Sequence, residues 1–328
     1  MNTILLNDTR SDEHIGCELV VTNSFLKCSE VGLKITATIS TAEASQATEL
    51  LASHLPSTKL VLLNGEGTLH DDKPNALSLL EAAKTAKDAG CVVVLYNALW
   101  SNNPIGKKFL TVFDLIFCRD KSSLDEILRD LPSAVAEVVP DMTFATQLPR
   151  LQNQTKKGIL VTDSVRKQKC LNLAKFAIKH RFAFAPMSTA FFRKLKGHPI
   201  LKWQLNRKLT HPAGSIDSPD DFLRKILSAE SIVTGRFHTA CLSLLCQTPV
   251  YCISSNTRKI QSLLEDFGLD SSATAQELPK LDIINGQLQE HIEKKQSTQI
   301  KVAEAASRIH VMFESIRGRL DPPNIAPR

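Results

Sequence analysis

The feature that most limits how this chain can fold is its alternation of short apolar runs with longer amphipathic stretches. Thr3–Leu6, Lys59–Leu63, Cys91–Tyr96 and Leu115–Cys118 are near-continuous apolar runs, the pattern of strands buried on both faces, and Leu33–Ile39 is strand-like. Between them Gly16–Val31, Ala42–His54 and Leu77–Ala89 repeat apolar residues at helical spacing. Gly90 follows the last of these, suited to the left-handed residue that closes a helix. Strand, helix, strand in succession demands crossover connections and hence a parallel sheet covered on both faces.

The polar segment Pro149–Lys157 interrupts the pattern, which then restarts. Gly158–Thr162, Phe182–Pro186, Ser231–Thr234 and Val250–Ser254 read as strands. Lys167–His180, Pro219–Ala229, His238–Cys246 and Ile260–Phe267 read as helices. Leu288–Ile316 reads as one or two amphipathic helices packing back across the domain interface. The expectation is an α/β protein of two Rossmann-like parallel-sheet domains, residues 1–150 and 151–328, facing a cleft.

Composition excludes several classes. Hydrophobic residues at 43% and charged residues at 23% are globular values, not those of a disordered or fibrous chain. No apolar run approaches the roughly 18 residues that span a bilayer. The opening MNTILLNDTR lacks the basic flank and apolar core of a secretion signal, so a cytoplasmic location is expected. The eight cysteines form no CxxC pair and read as buried free thiols. The nine histidines show no HxH or HExxH spacing, so no metal is expected.

Charge divides unevenly. Residues 1–150 hold 13 Lys and Arg against 19 Asp and Glu, whereas residues 151–328 hold 27 against 15. Within 151–210 there are 14 basic residues and one acid, Asp163. Such a band suits an anionic partner: nucleic acid, an anionic substrate or a membrane surface. No Arg/Gly repeat, RNP-like run or zinc finger accompanies it, so nucleic acid is not expected. Arg193, Lys194, Lys196 and Lys202, interleaved with Phe191, Phe192 and Trp203, suit peripheral contact with an anionic membrane, or simply form a solvated helix face.

The segment richest in chemistry is Ser231–Gly268. A buried strand runs into Gly235-Arg236-Phe237-His238, where a helix begins. In an extended chain Arg236 and His238 project to one side and Phe237 into the core. Helix N–H groups and the helix dipole favour an anion there, and a guanidinium adds a bidentate clamp. An imidazole is the natural proton donor or acceptor near neutral pH. The competing reading is a structural ion pair for Arg236 and a capping or core role for His238. The next strand ends in Ser255-Asn256, another helix-start signal, followed by the cations Arg258 and Lys259.

In the first half, Asn64-Gly65-Glu66-Gly67-Thr68-Leu69-His70 follows an apolar strand. Gly65 and Gly67 permit a sharp turn and close approach to a ligand, while Glu66 and His70 carry groups able to act on a hydroxyl. A loop that merely needs glycine is the alternative. Cys118-Arg119-Asp120-Lys121-Ser122-Ser123 opens a helix, and Val138–Phe144 reads as a strand with Asp141 at its turn.

Taken in order, NGEGTLH, CRDKSS, VVPDMTF and TGRFHTACLSLLCQTPVYCISSNTRKIQSLLEDFGL resemble the polysaccharide pyruvyl transferase family. The opening Asn7-Asp8-Thr9 and His14-Ile15-Gly16-Cys17 resemble the N-terminal loop of one bacterial branch, adding His14 to the candidate substrate-binding residues. Glu66 departs from the all-glycine turn commoner in the family. The resemblance implies a GT-B-like fold with an acceptor-side first domain and a donor-binding second domain. It implies phosphoenolpyruvate as donor and no further cofactor. The acceptor is then a sugar hydroxyl pair of a cell-surface glycan or its lipid-linked precursor, which becomes a pyruvate ketal. By the same resemblance Arg236 binds carboxylate or phosphate and His238 transfers a proton, with Arg258 and Lys259 near the donor phosphate. The competing readings are a sugar-nucleotide glycosyltransferase on the same fold and a non-catalytic glycan-binding relative.

Overall fold

The computed structural model describes residues 1–150, 155–188, 218–254, 258–271 and 278–320. By its contacts the chain forms two units. The first comprises Met1–Asp12, Val20–Met142 and the chain from Ala305; the second comprises Glu13–Leu19 and Thr143–Glu304. The expected single cut near residue 150 is therefore replaced by a change at Met142 and two exchanges of chain. These exchanges fall inside two helices, α1 (Ile15–Glu30) and α10 (Lys295–Gly318), each of which begins in one unit and ends in the other. Helical spacing reads through such a change without a mark, which is why the sequence did not show it.

In the first unit, six segments pair as parallel strands: β1 (Asn2–Asp8), β2 (Lys34–Ser40), β3 (Leu60–Asn64), β4 (Val92–Ala98), β5 (Leu115–Cys118) and β6 (Ala136–Val138). Their order is β2-β1-β3-β4-β5-β6. Leu5 of β1 pairs with Leu62 of β3, which pairs in turn with Val94 of β4. Every residue of β3 is buried, as a central strand covered on both faces requires. Helices α2 (Ala47–Ala52), α3 (Pro74–Asp88) and α4 (Lys121–Asp130) serve this unit. The small residues Ala76, Ala82, Ala83 and Ala86 let α3 approach the sheet closely. Successive connections from β1 leave in opposite directions, to β2 on one side and β3 on the other. The carboxyl ends of β1 and β3 are thus a topological switch point, where such sheets receive ligands.

The second unit has a four-stranded parallel sheet in the order β10-β9-β7-β8. Its strands are β7 (Ile159–Ser164), β8 (Ala183–Phe184), β9 (Ser231–Gly235) and β10 (Val250–Cys252). Around it run α5 (Lys167–His180), α6 (Pro219–Ser228), α7 (Phe237–Leu245), α8 (Lys259–Asp266) and α9 (Leu281–Glu293). Leu173, Ala174 and Ala177 of α5 and Ile284 and Leu288 of α9 close a core with Val161, Val233 and Tyr251. Here the direction reverses between β7 and β9.

Several elements are shorter than their sequence pattern. Ala42–His54 divides into a 3-10 turn, Thr41–Gln46, and the short α2, with Ser40 and Glu43 forming a capping box at the turn. Phe182–Pro186 contributes only Ala183–Phe184 to the sheet. Val138–Phe144 leaves the sheet at Val138, since Pro140 has no N–H to continue the ladder, and resumes as the 3-10 turn Met142–Ala145. All eight cysteines are free, seven of them buried. Among the described residues no helix is long and apolar enough to cross a membrane.

Candidate active site

The second unit's switch point assembles around one buried carboxylate. Asp163, near the end of β7, has no solvent exposure. One of its oxygens, Oδ1, accepts the Met187 backbone N–H at 2.9 Å. The other, Oδ2, accepts Arg236 Nε–H at 3.0 Å and also pairs with Arg236 Nη2. Burial alone would lower the Arg236 pKa, but the Asp163 carboxylate outweighs it and the net shift is upward. The guanidinium is therefore a fixed cation at the crevice, and the ion pair that competed with a ligand-binding role for Arg236 is present.

Met187 extends the assembly. Its carbonyl accepts the Ile15 N–H at 3.2 Å, and Ser188 forms an antiparallel bridge with His14. These contacts bring the start of α1 to the start of α7. There the His14 and His238 rings stand 5.4 Å apart at 66°. Cys17, one turn along α1, places its Sγ 3.4 Å from His14 Nδ1. Gly16 is the reason the approach succeeds: a Cβ at that position would collide with the His238 side chain.

Arg236 and His238 reach this place differently from the extended-chain expectation. The Arg236 N–H is taken by Thr234 Oγ1 at 3.0 Å, which ends the strand. The helix begins at Phe237, so Arg236 is the extended residue before it and His238 sits in its first turn. Strand alternation therefore does not set their directions; Asp163 holds one and the α1 start the other.

Further cations lie along the same carboxyl edge. Lys169, in the first turn of α5, donates to the Ser254 carbonyl at 2.9 Å and to its hydroxyl at 2.5 Å. Burial, with the neighbouring Arg166, lowers its pKa. Lys259 stands over the Phe237 ring at 5.9 Å, and Arg258 is exposed just ahead of α8. Ser255 and Asn256 lie outside the described residues, as do Phe191, Phe192, Arg193, Lys194, Lys196, Lys202 and Trp203.

The first unit's switch point is polar and acidic. Glu66 is 3% exposed and turns inward, accepting the Thr9 hydroxyl at 2.8 Å and Asn64 Nδ2 at 3.4 Å. Asn7 Nδ2 donates to the Asn64 carbonyl at 2.6 Å and to Thr68 Oγ1 at 3.0 Å. Gly65 is needed for close packing, since a Cβ there would stand 2.7 Å from Ala98 Cα. Asp12 keeps solvent exposure, yet its crowded surroundings, with Glu66 and Asp8 adding repulsion, push its pKa up to about 6. Burial works to raise Asp8 as well, but Arg10 donates to both its oxygens and the net shift is downward.

His70 does not join that cluster. Its Nδ1 meets Asp71 Oδ2 at 2.6 Å and its Nε2 meets Lys73 Nζ at 2.6 Å, a local arrangement within its own loop. Arg119 and Asp141, from two separate sequence motifs, form a buried ion pair at 3.4 Å. Asp120 caps α4 by accepting the Ser123 N–H at 2.8 Å.

Sequence reasoning missed Asp163, Gly16 and Cys17 as members of a site. The isolation of Asp163 within a basic band was the one available signal. A cavity of about 470 Å³ in the second unit, lined by Lys156, Thr248, His291 and Lys295 among others, lies at the amino ends of its strands, away from Arg236 and His238. Open α/β sheets receive substrates at the opposite, carboxyl edge, so the Asp163–Arg236–His238 assembly is the better candidate.

Comparison with known proteins places the fold and the family of this chain. UDP-GlcNAc 2-epimerase from Neisseria meningitidis, bound to UDP-GlcNAc, is similar with a TM-score of 0.60 at 12% identity, over 96% of this chain and 99% of that one. The S. aureus MnaA–UDP structure is similar with a TM-score of 0.58 at 14% identity, over 99% and 100% of the respective chains. At these identities the likeness concerns the fold alone, that of the GT-B class. No curated protein matches the sequence. A sequence model of polysaccharide pyruvyl transferases matches residues 34–257, more than half of the chain, and includes the Asn64–His70 turn and the Arg236–His238 junction. The chain belongs to the polysaccharide pyruvyl transferase family.

Proposed function

We propose that this protein transfers pyruvate from phosphoenolpyruvate to a pair of sugar hydroxyls on a glycan, forming a cyclic ketal. The observation that supports this most is the junction of β9 and α7, where a fixed guanidinium precedes a helix start that carries an imidazole. Phosphoenolpyruvate bears a carboxylate and a phosphate, and it needs clustered cations and helix N–H groups to be held. Arg236, steadied by Asp163, binds one of these anions, and Lys259 and Arg258 assist with the phosphate. In the first unit, Glu66, Asn7 and Thr9 are the groups we assign to recognition of sugar hydroxyls.

In the proposed reaction His238 donates a proton to C3 of the enol, which makes C2 electrophilic. One sugar oxygen bonds to C2; the C2–O bond to phosphate then breaks; the second sugar oxygen closes the ketal. Of the two hydroxyl protons released, one restores the acid and the other leaves with inorganic phosphate. The reaction so written needs no further cofactor.

The test is incubation with phosphoenolpyruvate and a panel of galactosides, mannosides and N-acetylhexosamines. We expect phosphate release matched by a pyruvate mass increment on one acceptor, and loss of both in His238→Ala. Protection of the protein from proteolysis by nucleotide sugars but not by phosphoenolpyruvate would overturn the reading in favour of a glycosyltransferase.

A further inference from the structure

We infer that His14, Cys17 and His238 form a binding site for a thiophilic divalent transition metal ion, of which zinc is the type. The inference does not rest on the identity of the donor substrate. Two imidazoles and a thiol from segments far apart in sequence bring one ligand atom each to within 4.8 Å of one another. Around a tetrahedral ion at ordinary bond lengths, neighbouring nitrogen and sulfur ligands stand about 3.5 Å apart. The Cys17 Sγ to His14 Nδ1 distance is 3.4 Å. Two imidazoles sharing such an ion hold their ring centres about 5 Å apart. The His14 and His238 rings stand at 5.4 Å. Closing the remaining separation takes side-chain rotation of His14 and Cys17, both of which are half-buried.

The thiol is singular within this chain. Cys17 is the one cysteine of the eight that is not buried. Burial pushes Cys28, Cys246 and Cys252 up to about 12, which keeps those sulfurs protonated and poor as ligands. The scaffold around Cys17 is also fixed in advance. The Ile15–Met187 hydrogen bond and the His14–Ser188 bridge hold the α1 start, and Met187 is held by Asp163.

Three protein ligands leave the fourth position to water or to an added ligand, the pattern of an open site rather than a closed structural one. Binding takes the two imidazoles neutral and the thiol as thiolate, so one proton passes from Cys17 to solvent for each ion bound. The ion also takes a lone pair from His238. If that imidazole transfers a proton as proposed above, metal occupancy and turnover exclude each other, and zinc inhibits.

Cobalt(II) is the probe for the site, because a cobalt–thiolate bond absorbs strongly in the near ultraviolet. Titration of the full chain is expected to give that absorption at one ion per protein, with displacement by zinc and its absence in Cys17→Ser. The unaltered protein supplies a second measurement through alkylation of Cys17, followed by mass spectrometry. With zinc at about a hundred times its Kd, alkylation slows about a hundredfold, because only the unliganded fraction reacts. Absence of the thiolate absorption, its persistence in Cys17→Ser, or an alkylation rate indifferent to zinc overturns the inference. None of these readouts depends on pyruvyl transfer, so failure of the functional reading leaves them unchanged.

Discussion

Asp163 supports two partners at once, and its removal can be dissected. The carboxylate is fully buried and the Arg236 side chain 7% exposed, so Asp163→Ala leaves a desolvated guanidinium without a counter-charge. Breaking a buried pair from one side costs about 3–5 kcal/mol. The Met187 N–H also loses its acceptor, which adds about 1–3 kcal/mol. Asp163→Asn retains an amide oxygen for the Met187 N–H but turns an NH2 donor toward the Arg236 donors, so it recovers at most part of that second amount relative to Asp163→Ala. Arg236→Met strands the carboxylate in turn. Asp163→Leu combined with Arg236→Met removes both charges and costs less than the sum of the single changes, by about 2 kcal/mol or more. Since whole domains are stable by about 5–15 kcal/mol, these losses are large in urea denaturation at neutral pH. The reasoning fails if the single variants unfold within about 1 kcal/mol of the parent, or if the cycle is additive to within about 0.5 kcal/mol.

Two other expectations follow from local geometry. Gly16→Ala gains helix propensity of about 1 kcal/mol but drives a methyl into the buried His238 side chain, so a net loss of about 1–3 kcal/mol is expected in thermal or urea unfolding; stabilisation would show that the α1 start yields freely. His291 accepts the Val250 N–H at 3.3 Å on Nδ1, and burial pushes its pKa down to about 4. Its folded value lies below the unfolded one near 6.5. Its contribution is therefore complete above pH ~6.5 and fades as the pH falls toward 4, by about 3 kcal/mol at most. His291→Gln should flatten the urea midpoint between pH 7.5 and 4.5, and an unchanged acid slope would refute the assignment.

The sheets were legible because parallel strands buried on both faces must be nearly continuous in apolar residues, as β3 and β4 are. The two turns that end on switch points were legible for the same reason, since polar and glycine residues directly after such strands stand out. The Arg236–His238 junction could be read as a place but not as a geometry. Its geometry depends on where the ladder stops, and Thr234 decides that with its own hydroxyl. Asp163 could be seen as solitary, yet its partner directly follows another strand and only the β7–β9 pairing joins them. Cys17 and His14 carried no metal spacing in sequence because the third ligand comes from α7. Likewise Arg119 and Asp141 belong to separate motifs, and only the placement of β5 beside β6 explains why both are present.

The exchange of chain within α10 bears on synthesis. Ile309, Met312, Phe313 and Ile316 are buried, and Phe313 packs its ring 6.3 Å from Tyr96 in the middle of the first sheet. A nascent first unit therefore waits, with an apolar face uncovered, while the whole second unit is translated and until Phe313 clears the ribosome exit. Contacts of such long sequence separation slow folding and prolong aggregation-prone intermediates. Translation speed and chaperone supply during that interval will govern the yield of native protein.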